Sequence, residues 1–390
     1  MDNAPTHQQE SANAWASRLT GVGNMLGYIF GYINLPGILP FLGKTRFQIL
    51  CAIASLALGI TLFVSCYYIK ERDPRLDGPP ASEKLGIVSF FKHVFKSIRY
   101  LPPQIAKVCE VQLAAWVGWF PFLFYATTYI GQLYVNPIFE KEPALSDGQI
   151  DQEWEKGTQV GTFALLIYAV ISFVANITLP VFVVPSYKPV AQRGDGQPEE
   201  EEASLRRGGT TTQNQDSDDD TPAWLKCLQI PGLTLRRVWL FSHVLFAVCM
   251  FSTFFVFSYP AGSVVVGLVG ICWAVSLWAP FALISAEISR INAERRVQRP
   301  RSRPTSTADV ENGSGANENL VQAGIILGLH NVAISAPQIF SSLICSALFK
   351  AFQKPRGEPW DDSLGWVLRF GGCAALGAAW LTSRLVEGKQ

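Results

Sequence analysis

The sequence lacks the features that would place it in one of the common soluble classes. Its opening residues, MDNAPTHQQE, have neither the basic start nor the apolar core of a secretory signal peptide. Its 8 cysteines are spread through 390 residues, mostly in or beside long apolar runs, so we expect packing residues rather than disulfides. The net charge of +1 is nearly balanced and carries no information about partners, and we expect no nucleic acid to bind.

Catalytic signatures are lacking as well. A membrane-embedded enzyme such as a lipid acyltransferase would need a clustered set of acid, base or nucleophile near one interface. Neither HxxxxD nor HExxH occurs, and no apolar run carries paired carboxylates. We therefore expect no enzyme activity and no catalytic residues, and we expect neither a metal nor a cofactor.

Long apolar segments are what the chain does contain. A bilayer core of about 30 Å needs roughly 20 mostly apolar residues at the helical rise of about 1.5 Å. Segments of this kind predict a membrane protein that crosses the bilayer repeatedly, and they are 15–42, 47–69, 106–134, 161–185, 238–259, 262–288, 321–349 and 365–385.

The charges between these segments predict their orientation. Lys and Arg are concentrated in the connections after the second, fourth and sixth segments. Because cytoplasmic loops carry this excess, both termini are predicted to be cytoplasmic. Residues 70–105 are interpreted as a cytoplasmic central loop, and the low-complexity stretches 186–236 and 289–319 as disordered cytoplasmic loops. The acidic stretch 135–157 is then an outer loop.

One segment carries a family resemblance. The third reads AAWVGWFPFLFYATTYIGQLY and resembles the seventh helix of sucrose transporters in the glycoside-pentoside-hexuronide:cation symporter family, within the major facilitator superfamily. The fungal branch of that family, whose members carry proton-coupled sucrose and other α-glucosides, looks most similar. Three more stretches resemble the family in the same order, namely ANAWASRLTGVGNMLGYIFGY, GTQVGTFALLIYAVISF and LGLHNVAISAPQ.

The resemblance implies an architecture. Family members have twelve helices, and the eight segments match helices five to twelve. We therefore expect an all-α polytopic membrane protein with the major facilitator fold that lacks the first four helices. Residues 1–69 would be the remnant of an N-terminal bundle with two transmembrane helices, and 106–390 the C-terminal six-helix bundle.

The resemblance also implies a function. We expect a proton-coupled symporter of sucrose or another α-glucoside, in truncated form, whose partners are a sucrose-like or maltose-like disaccharide, protons and the lipid bilayer. The expected location is the plasma membrane, with the vacuolar membrane as the alternative. The alternative function is a non-transporting fragment or a regulatory partner of a full-length sugar transporter. The proton-accepting acid is expected to lie in the missing helices.

Sugar binding calls for flat aromatic faces and hydrogen-bonding groups on a largely apolar wall. The third and seventh segments supply both kinds of group. Packing within the protein is the alternative role for the aromatic rings, and hydrogen bonding between helices is the alternative for the two amides, which lie two turns apart on one face. The candidate substrate-binding residues are Trp119, Phe122, Tyr125, Thr128, Asn331 and Gln338.

Ionisable groups inside a membrane are costly and are treated as functional hypotheses. Arg18 is a candidate for coupling or gating, with snorkelling to the headgroups as the alternative. His330 lies well inside a segment and is able to titrate, with a structural hydrogen bond as the alternative. Glu155 and Gln159 enter through the resemblance, since Glu155 occupies the position of a family acid and Gln159 stands where relatives usually carry arginine.

Two further charged sites have an ordinary explanation. Arg369 lies about one turn into the last segment and is expected to snorkel outward, with a functional role as the alternative. Glu287 and Arg290 form either a cytoplasmic gating pair or a surface ion pair.

Overall fold

All regular secondary structure in the described residues is helical. The computed structural model describes residues 9–68, 101–183, 228–298 and 326–385. The predicted all-α class is confirmed over these ranges. The helices are α1 (Gln9–Tyr32), α2 (Leu35–Ile38), α3 (Arg46–Tyr68), α4 (Pro103–Lys141), α5 (Asp147–Phe182), α6 (Leu235–Ser252), α7 (Tyr259–Gln298), α8 (Ile326–Phe352) and α9 (Ser363–Ser383).

Seven helices of the described ranges, α3 to α9, are long and apolar enough to cross a membrane. A helix satisfies its backbone hydrogen bonds internally, which is what the bilayer interior demands. The prediction of a polytopic membrane protein is therefore confirmed.

The first predicted segment, 15–42, is divided in the structure. Its long helix α1 ends at Tyr32, and the one-turn helix α2 follows at Leu35. Pro36 has no N–H to donate to the Tyr32 carbonyl, and its ring would clash with that carbonyl in a continuous helix. The apolar run is thus longer than the helix that it contains.

Helix α4 lies at the centre of the packed bundle. It contacts α5, α7, α8 and α9, while α6 packs on α7 and α9, and α1 packs on α5. The backbones of α4 and α9 come very close at two glycines. A Cβ atom added to Gly118 would lie 2.6 Å from the carbonyl oxygen of Gly371, so this crossing requires glycine.

The predicted outer loop 135–157 is wrong in its bounds, because most of it is helical. Helix α4 continues to Lys141, and α5 begins at Asp147. Ser146 and Gln149 form a capping box that starts α5, in which the Ser146 N–H donates to Gln149 Oε1 at 2.9 Å. The real connection is therefore only 142–146.

The predicted disorder of 289–319 is wrong over its first part. Helix α7 runs to Gln298, since the sequence INAERRVQ is rich in residues that favour helix. The predicted loop 186–236 likewise includes the start of α6 at Leu235. Residues 228–234 of that loop are described too, and the Ile230 N–H donates to the Phe182 carbonyl at 3.0 Å. The other parts of these two loops, and almost all of the predicted central loop, lie outside the described residues, namely at 184–227, 299–325 and 69–100.

Candidate functional site

An aromatic cluster fills the centre of the bundle. Trp119 and Phe122 are buried, with 3% and 1% of their surface exposed. The Trp119 ring lies 4.5 Å from Phe246 and 5.0 Å from Trp273, and the Phe122 ring lies 5.6 Å from Tyr168, measured between ring centroids. These two rings pack in the core, and neither lines the cavity described next. Their role as substrate contacts stays a prediction.

The other two substrate candidates on α4, Tyr125 and Thr128, line a cavity of ≈ 910 Å³. It lies at the end of the bundle where α4 ends and α5 begins. Tyr125, Thr128 and Gln132 share one face of α4, since they are three and four residues apart. The Tyr125 ring packs edge-on against Phe349 of α8, 5.0 Å between centroids. We name this space the α4–α8 cavity. Its other lining residues include Trp154, Ser346, Lys350, Gln353, Arg356, Glu358 and Asp361.

The connection between α8 and α9 forms one wall of the α4–α8 cavity and is fixed to α4. The Trp360 backbone N–H donates to Asn136 Oδ1 at 3.0 Å, and its indole N–H donates to Glu140 Oε2 at 3.1 Å. Asn136 Oδ1 also accepts from Gln132 Nε2 at 2.6 Å. Trp360 adopts a φ of 58°, a left-handed conformation that is uncommon for a bulky side chain. These bonds couple the wall to a side chain that lines the cavity.

A second fixed point of this wall is a buried arginine. Arg369 is 5% exposed and donates from Nη1 to Asp362 Oδ2 at 2.5 Å and from Nε to Thr253 Oγ1 at 3.1 Å. Its guanidinium also lies 3.9 Å from the centre of the Phe254 ring. The expected outward snorkelling is wrong, because the carboxylate and the Thr253 carbonyl satisfy the cation inside the bundle.

Asn331 and Gln338 lie on α8 and are exposed in the structure. Neither lines the α4–α8 cavity. Between them, Ala336 has helical backbone angles (φ −59°, ψ −38°) and its N–H donates to the Val332 carbonyl at 2.9 Å, so the two amides lie on one helix two turns apart. Their place on a substrate path stays a prediction.

His330 is fully buried beside Gln112 of α4. The His330 Nε2 and Gln112 Nε2 atoms are 3.0 Å apart, at hydrogen-bonding distance, and the Phe281 ring packs edge-on at 4.8 Å between centroids. Among the described residues, His330 Nδ1 has no hydrogen-bond partner. This arrangement joins α4, α7 and α8, as expected of a structural histidine, and its role in coupling stays a prediction.

The other coupling candidates lie on α1 and α5. Arg18 and Glu155 are exposed. Gln159 contacts Arg46 at the start of α3. With its amide turned so that the oxygen faces the guanidinium, that oxygen accepts hydrogen bonds from Arg46 Nη1 at 2.6 Å and also from Nη2. Glu287 and Arg290 form a two-pronged ion pair one turn apart on α7, with Nη2 2.7 Å from Oε1. The ion pair itself fits both a gating role and a surface role, so each role stays a prediction.

The structure shows a further set of polar residues that the sequence interpretation missed. A small pocket lies between α1, α5 and α7 and is lined by Asn24, Tyr168, Ser172, Asn176 and Trp273. The three α5 residues among them follow a four-residue spacing, which is the signal in the sequence that would have grouped them on one face. We name it the α1–α5 pocket.

Comparison with known proteins gives the chain a family. No family model matches it. The chain is 32% identical to the general alpha-glucoside permease of Schizosaccharomyces pombe over 419 residues, which cover 99% of the chain and 69% of the permease. It is 31% identical to the MFS-type transporter cctQ of Talaromyces islandicus, over 40% of the chain and 54% of that protein.

A plant protein is also similar. The sucrose transport protein SUT2 of Oryza sativa subsp. japonica is 28% identical over 43% of the chain, and the match covers 34% of the plant protein. Agreement over nearly the whole chain with the fission yeast permease, together with the helical bundle, confirms the resemblance inferred from the sequence. The chain therefore belongs to the sucrose and α-glucoside transporter family of the major facilitator superfamily.

Proposed function

We propose that the protein moves sucrose or a related α-glucoside across a membrane together with protons. The observation that carries this proposal is the 32% identity over 99% of the chain to a protein named as an alpha-glucoside permease. A transporter of this fold works by rocking its bundles around a site near the middle of the membrane.

The chemistry of the α4–α8 cavity supports a sugar as the cargo. Its volume of ≈ 910 Å³ falls within the range of about 300–1,000 Å³ that is usual for small-molecule sites. Tyr125, Phe349 and Trp154 offer aromatic surface, and Thr128 and Gln132 offer hydroxyl and amide groups. Aromatic rings bind the apolar faces of a pyranose, while the polar groups bind its hydroxyls.

We place the α4–α8 cavity on the outer side of the membrane. Helix α5 ends and α6 begins at the opposite end of the bundle. The sequence between them contains the Arg-bearing stretch after the fourth segment, and cytoplasmic loops carry such an excess. On this proposal the cavity is where sugar first meets the carrier, both termini are cytoplasmic, and the protein acts in the plasma membrane. Fluorescent tagging in cells tests the membrane assignment, and a vacuolar signal would overturn it.

We propose that Glu155 assists proton coupling without being the acid that accepts the transported proton. Of the two titratable coupling candidates in the described residues, Glu155 is exposed, whereas His330 is fully buried against Gln112. Proton exchange with water is easier at an exposed carboxylate. Replacing Glu155→Gln is expected to weaken the dependence of uptake on external pH while leaving expression unchanged. An unchanged pH dependence would remove Glu155 from the coupling step.

Asn331 and Gln338 are proposed to line the path between the two sides. Both amides are exposed on α8 two turns apart, and amide groups on one exposed face of a helix are suited to bind sugar hydroxyls. The double variant Asn331→Leu with Gln338→Leu is expected to lose uptake without losing membrane insertion. Normal uptake by this variant would exclude the pair from the path.

Uptake by cells tests the function as a whole. The chain is expressed in a yeast strain without its own disaccharide carriers, and radiolabelled sucrose and maltose are offered at acidic and neutral external pH, with and without a protonophore. We expect accumulation that is greater at acidic pH and abolished by the protonophore. Correct insertion without any sugar uptake would overturn the proposal. A changed rate in a co-expressed permease would then identify a regulatory partner.

A further inference from the structure

A short series of hydrogen bonds connects the wall of the α4–α8 cavity to a side chain that lines it. The Trp360 backbone N–H donates to Asn136 Oδ1 at 3.0 Å, and Gln132 Nε2 donates to the same oxygen at 2.6 Å. Gln132 and Asn136 lie one turn apart on α4 and are buried, with 6% and 3% of their surface exposed. Gln132 also lines the cavity. The series therefore runs from the wall, through a buried amide, to a residue at the cavity surface.

The backbone fixes the direction of both bonds. A peptide N–H is only a donor, so the Asn136 atom that meets the Trp360 N–H must be the amide oxygen. That oxygen is only an acceptor, so the Gln132 atom that meets it must be the amide nitrogen. Turning the Gln132 amide over would bring two acceptor oxygens together and lose a buried hydrogen bond. Gln132 Oε1 is therefore held away from Asn136.

This fixed oxygen is available to a ligand. Within the described part of the chain, Gln132 Oε1 accepts no hydrogen bond, while Nε2 is used by Asn136. A carbonyl oxygen accepts hydrogen bonds and never donates them. A molecule that enters the cavity displaces water from such an oxygen, and it loses affinity unless it offers a donor in return. Gln132 thus presents an acceptor alone, although an unconstrained glutamine offers both kinds of group.

The wall that fixes this amide is itself anchored. The Trp360 indole N–H donates to Glu140 Oε2 of α4 at 3.1 Å. Arg356, in the same connection between α8 and α9, forms an ion pair with Asp151 of α5. The segment that presents its N–H to Asn136 is therefore attached to two helices. Groups that are held in place before a ligand arrives bind it with less loss of conformational freedom.

An aromatic ring lies close to the fixed amide. Trp154 of α5 lines the cavity, and a Cβ atom added to Gly131 would lie 3.4 Å from Trp154 Cζ3. Gly131 directly precedes Gln132, so the indole packs on α4 beside that amide. The cavity that both residues line has a volume of ≈ 910 Å³, which is ample for a sugar ring. A pyranose can pack its apolar face on the indole while one of its hydroxyls donates to Gln132.

We propose that Gln132 accepts a hydrogen bond from one hydroxyl of the sugar and so selects sugars that donate at that position. Asn136 is a positioning residue, because it aims the Gln132 oxygen without touching the sugar. This inference rests on the proposed sugar-transport function and deepens it, since it names a specificity residue and the direction of its bond. The competing role is structural, in which Gln132 only ties α4 to the wall.

Binding of modified sugars tests the direction of the bond. The full chain, purified in detergent, is titrated with sucrose and maltose. The sugar that binds more tightly is then compared with derivatives in which one hydroxyl at a time is replaced by hydrogen or by fluorine. Neither substituent donates a hydrogen bond, but fluorine accepts one weakly. At one position we expect both derivatives to bind about 10-fold more weakly than the parent, in keeping with the loss of one hydrogen bond.

Variants of the two amides separate substrate binding from a structural role. Gln132→Met keeps the length of the side chain without its acceptor, so it should weaken the parent sugar about 10-fold and leave those two derivatives unchanged. Asn136→Leu should reduce the discrimination although Gln132 is intact, because the Gln132 amide is then free to turn. Asn136→Asp should restore it, since a carboxylate oxygen accepts both hydrogen bonds.

The chain offers a matched control at the opposite end of α4. Gln104 does not line the α4–α8 cavity, so Gln104→Met, the same substitution on the same helix, should keep the full discrimination. Thermal unfolding of each variant confirms that it is folded. The comparison of modified sugars on the wild-type chain needs no variant, and it tests the direction of the bond even if a substitution prevents folding.

The outcomes separate this inference from the transport function. If the wild-type chain binds sugar but no position rejects both derivatives, the acceptor assignment is overturned. If folded Gln132→Met discriminates as the wild type does, Gln132 is structural, and in both cases the transport function stands. Unchanged discrimination in Asn136→Leu overturns the positioning role. If the wild-type chain neither binds nor accumulates any α-glucoside, the transport function is overturned, and the assignment of Gln132 falls with it.

Discussion

Helices α3 and α4 are both apolar enough to cross a membrane, but they pack very differently. Helix α3 has the higher mean hydropathy of the two, yet 6% of its most apolar stretch is buried in the protein, against 50% in α4. Lipid is as apolar as a leucine side chain, so an apolar surface alone does not bring helices together in a bilayer. What distinguishes α4 is close backbone contact at glycine, stacked aromatic rings and buried hydrogen bonds.

The contacts of α3 fit this explanation. Among the described residues it contacts mainly α1 and α2, and Ile49 is its buried residue. Helix α4, by contrast, is joined to α8 by the Gln112 and His330 pair and by Ser341 Oγ, which donates to the Val117 carbonyl at 3.1 Å. Similar substitutions made in the packed bundle and on α3 can be compared to measure how much these contacts stabilise the protein.

The largest effect is expected at the helix crossing. In Gly118→Leu, the new side chain would collide with the α9 backbone, since even a Cβ atom would lie 2.6 Å from the Gly371 oxygen. Overpacking costs about 1–3 kcal/mol or more, and backbone cannot yield as a side chain can, so we expect loss of the monodisperse folded protein. Size-exclusion chromatography and thermal unfolding in detergent measure this.

Gly59→Leu on α3 is the control for that variant. A Cβ atom at Gly59 meets nothing within 4 Å among the described residues, and leucine favours helix more than glycine does, so the unfolding temperature should stay the same or rise slightly. Equal damage from both glycine variants would show that the contrast between the helices is mistaken.

The next effect concerns buried charge. Arg369→Ala would leave Asp362 and the Thr253 carbonyl without their donor. Removing one partner of a fully buried pair costs about 3–5 kcal/mol. The Asp362 side chain is 54% exposed, so water compensates part of the loss, and we expect about 2 kcal/mol.

Arg46→Ala at the start of α3 is the matched comparison. Arg46 contacts the neutral amide of Gln159, so its loss should cost about 1 kcal/mol or less. Chemical unfolding of both variants in mixed micelles gives the two values. If Arg46→Ala proves the more damaging variant, α3 is held more firmly than its burial indicates.

A smaller effect is expected in sugar uptake. Thr128→Val removes a hydroxyl from the α4–α8 cavity at nearly constant volume. Loss of one hydrogen bond to the sugar would raise KM by about 2- to 10-fold. Thr61→Val on α3 removes a hydroxyl that donates to its own helix, to the Ala57 carbonyl at 2.9 Å, and should leave KM unchanged. An unchanged KM in Thr128→Val would remove this residue from the substrate contacts.

The smallest effect is expected on the exposed surface of α3. Leu58 is 68% exposed, so Leu58→Ala removes little packing within the protein. We expect its free energy of unfolding to change by less than about 0.5 kcal/mol. A loss comparable to that of a core leucine would reveal a helix that covers this face in the folded protein.

The course of the helices could be predicted from the sequence because it depends on local properties. Seven of the eight predicted segments correspond to helices that can span a membrane, and their bounds differ mainly where polar residues extend the helix. Hydropathy missed these extensions, as at 135–157 and 289–298, since a helix continues past the membrane wherever its residues favour it. The opposite happens at Pro36, where α1 ends although the sequence remains apolar, because proline cannot continue the helix.

The candidate site could be predicted only in part. On α4, Tyr125 and Thr128 line the cavity, while Trp119 and Phe122 are buried in the core. All four are aromatic or polar residues within two and a half turns, and nothing in their order separates the two pairs. The direction of each side chain relative to its neighbours decides the difference.

The sequence by itself determined the class of the protein, the approximate spans and the family, because apolar length, charge between segments and motif order all reside in contiguous stretches. Only the tertiary structure decided that Arg369 is paired inside the bundle and that Tyr168 and Asn176 converge with α1 on one pocket. In a membrane both the lipid-facing and the protein-facing sides of a helix are largely apolar. Which polar residue meets which partner therefore depends on how distant helices pack.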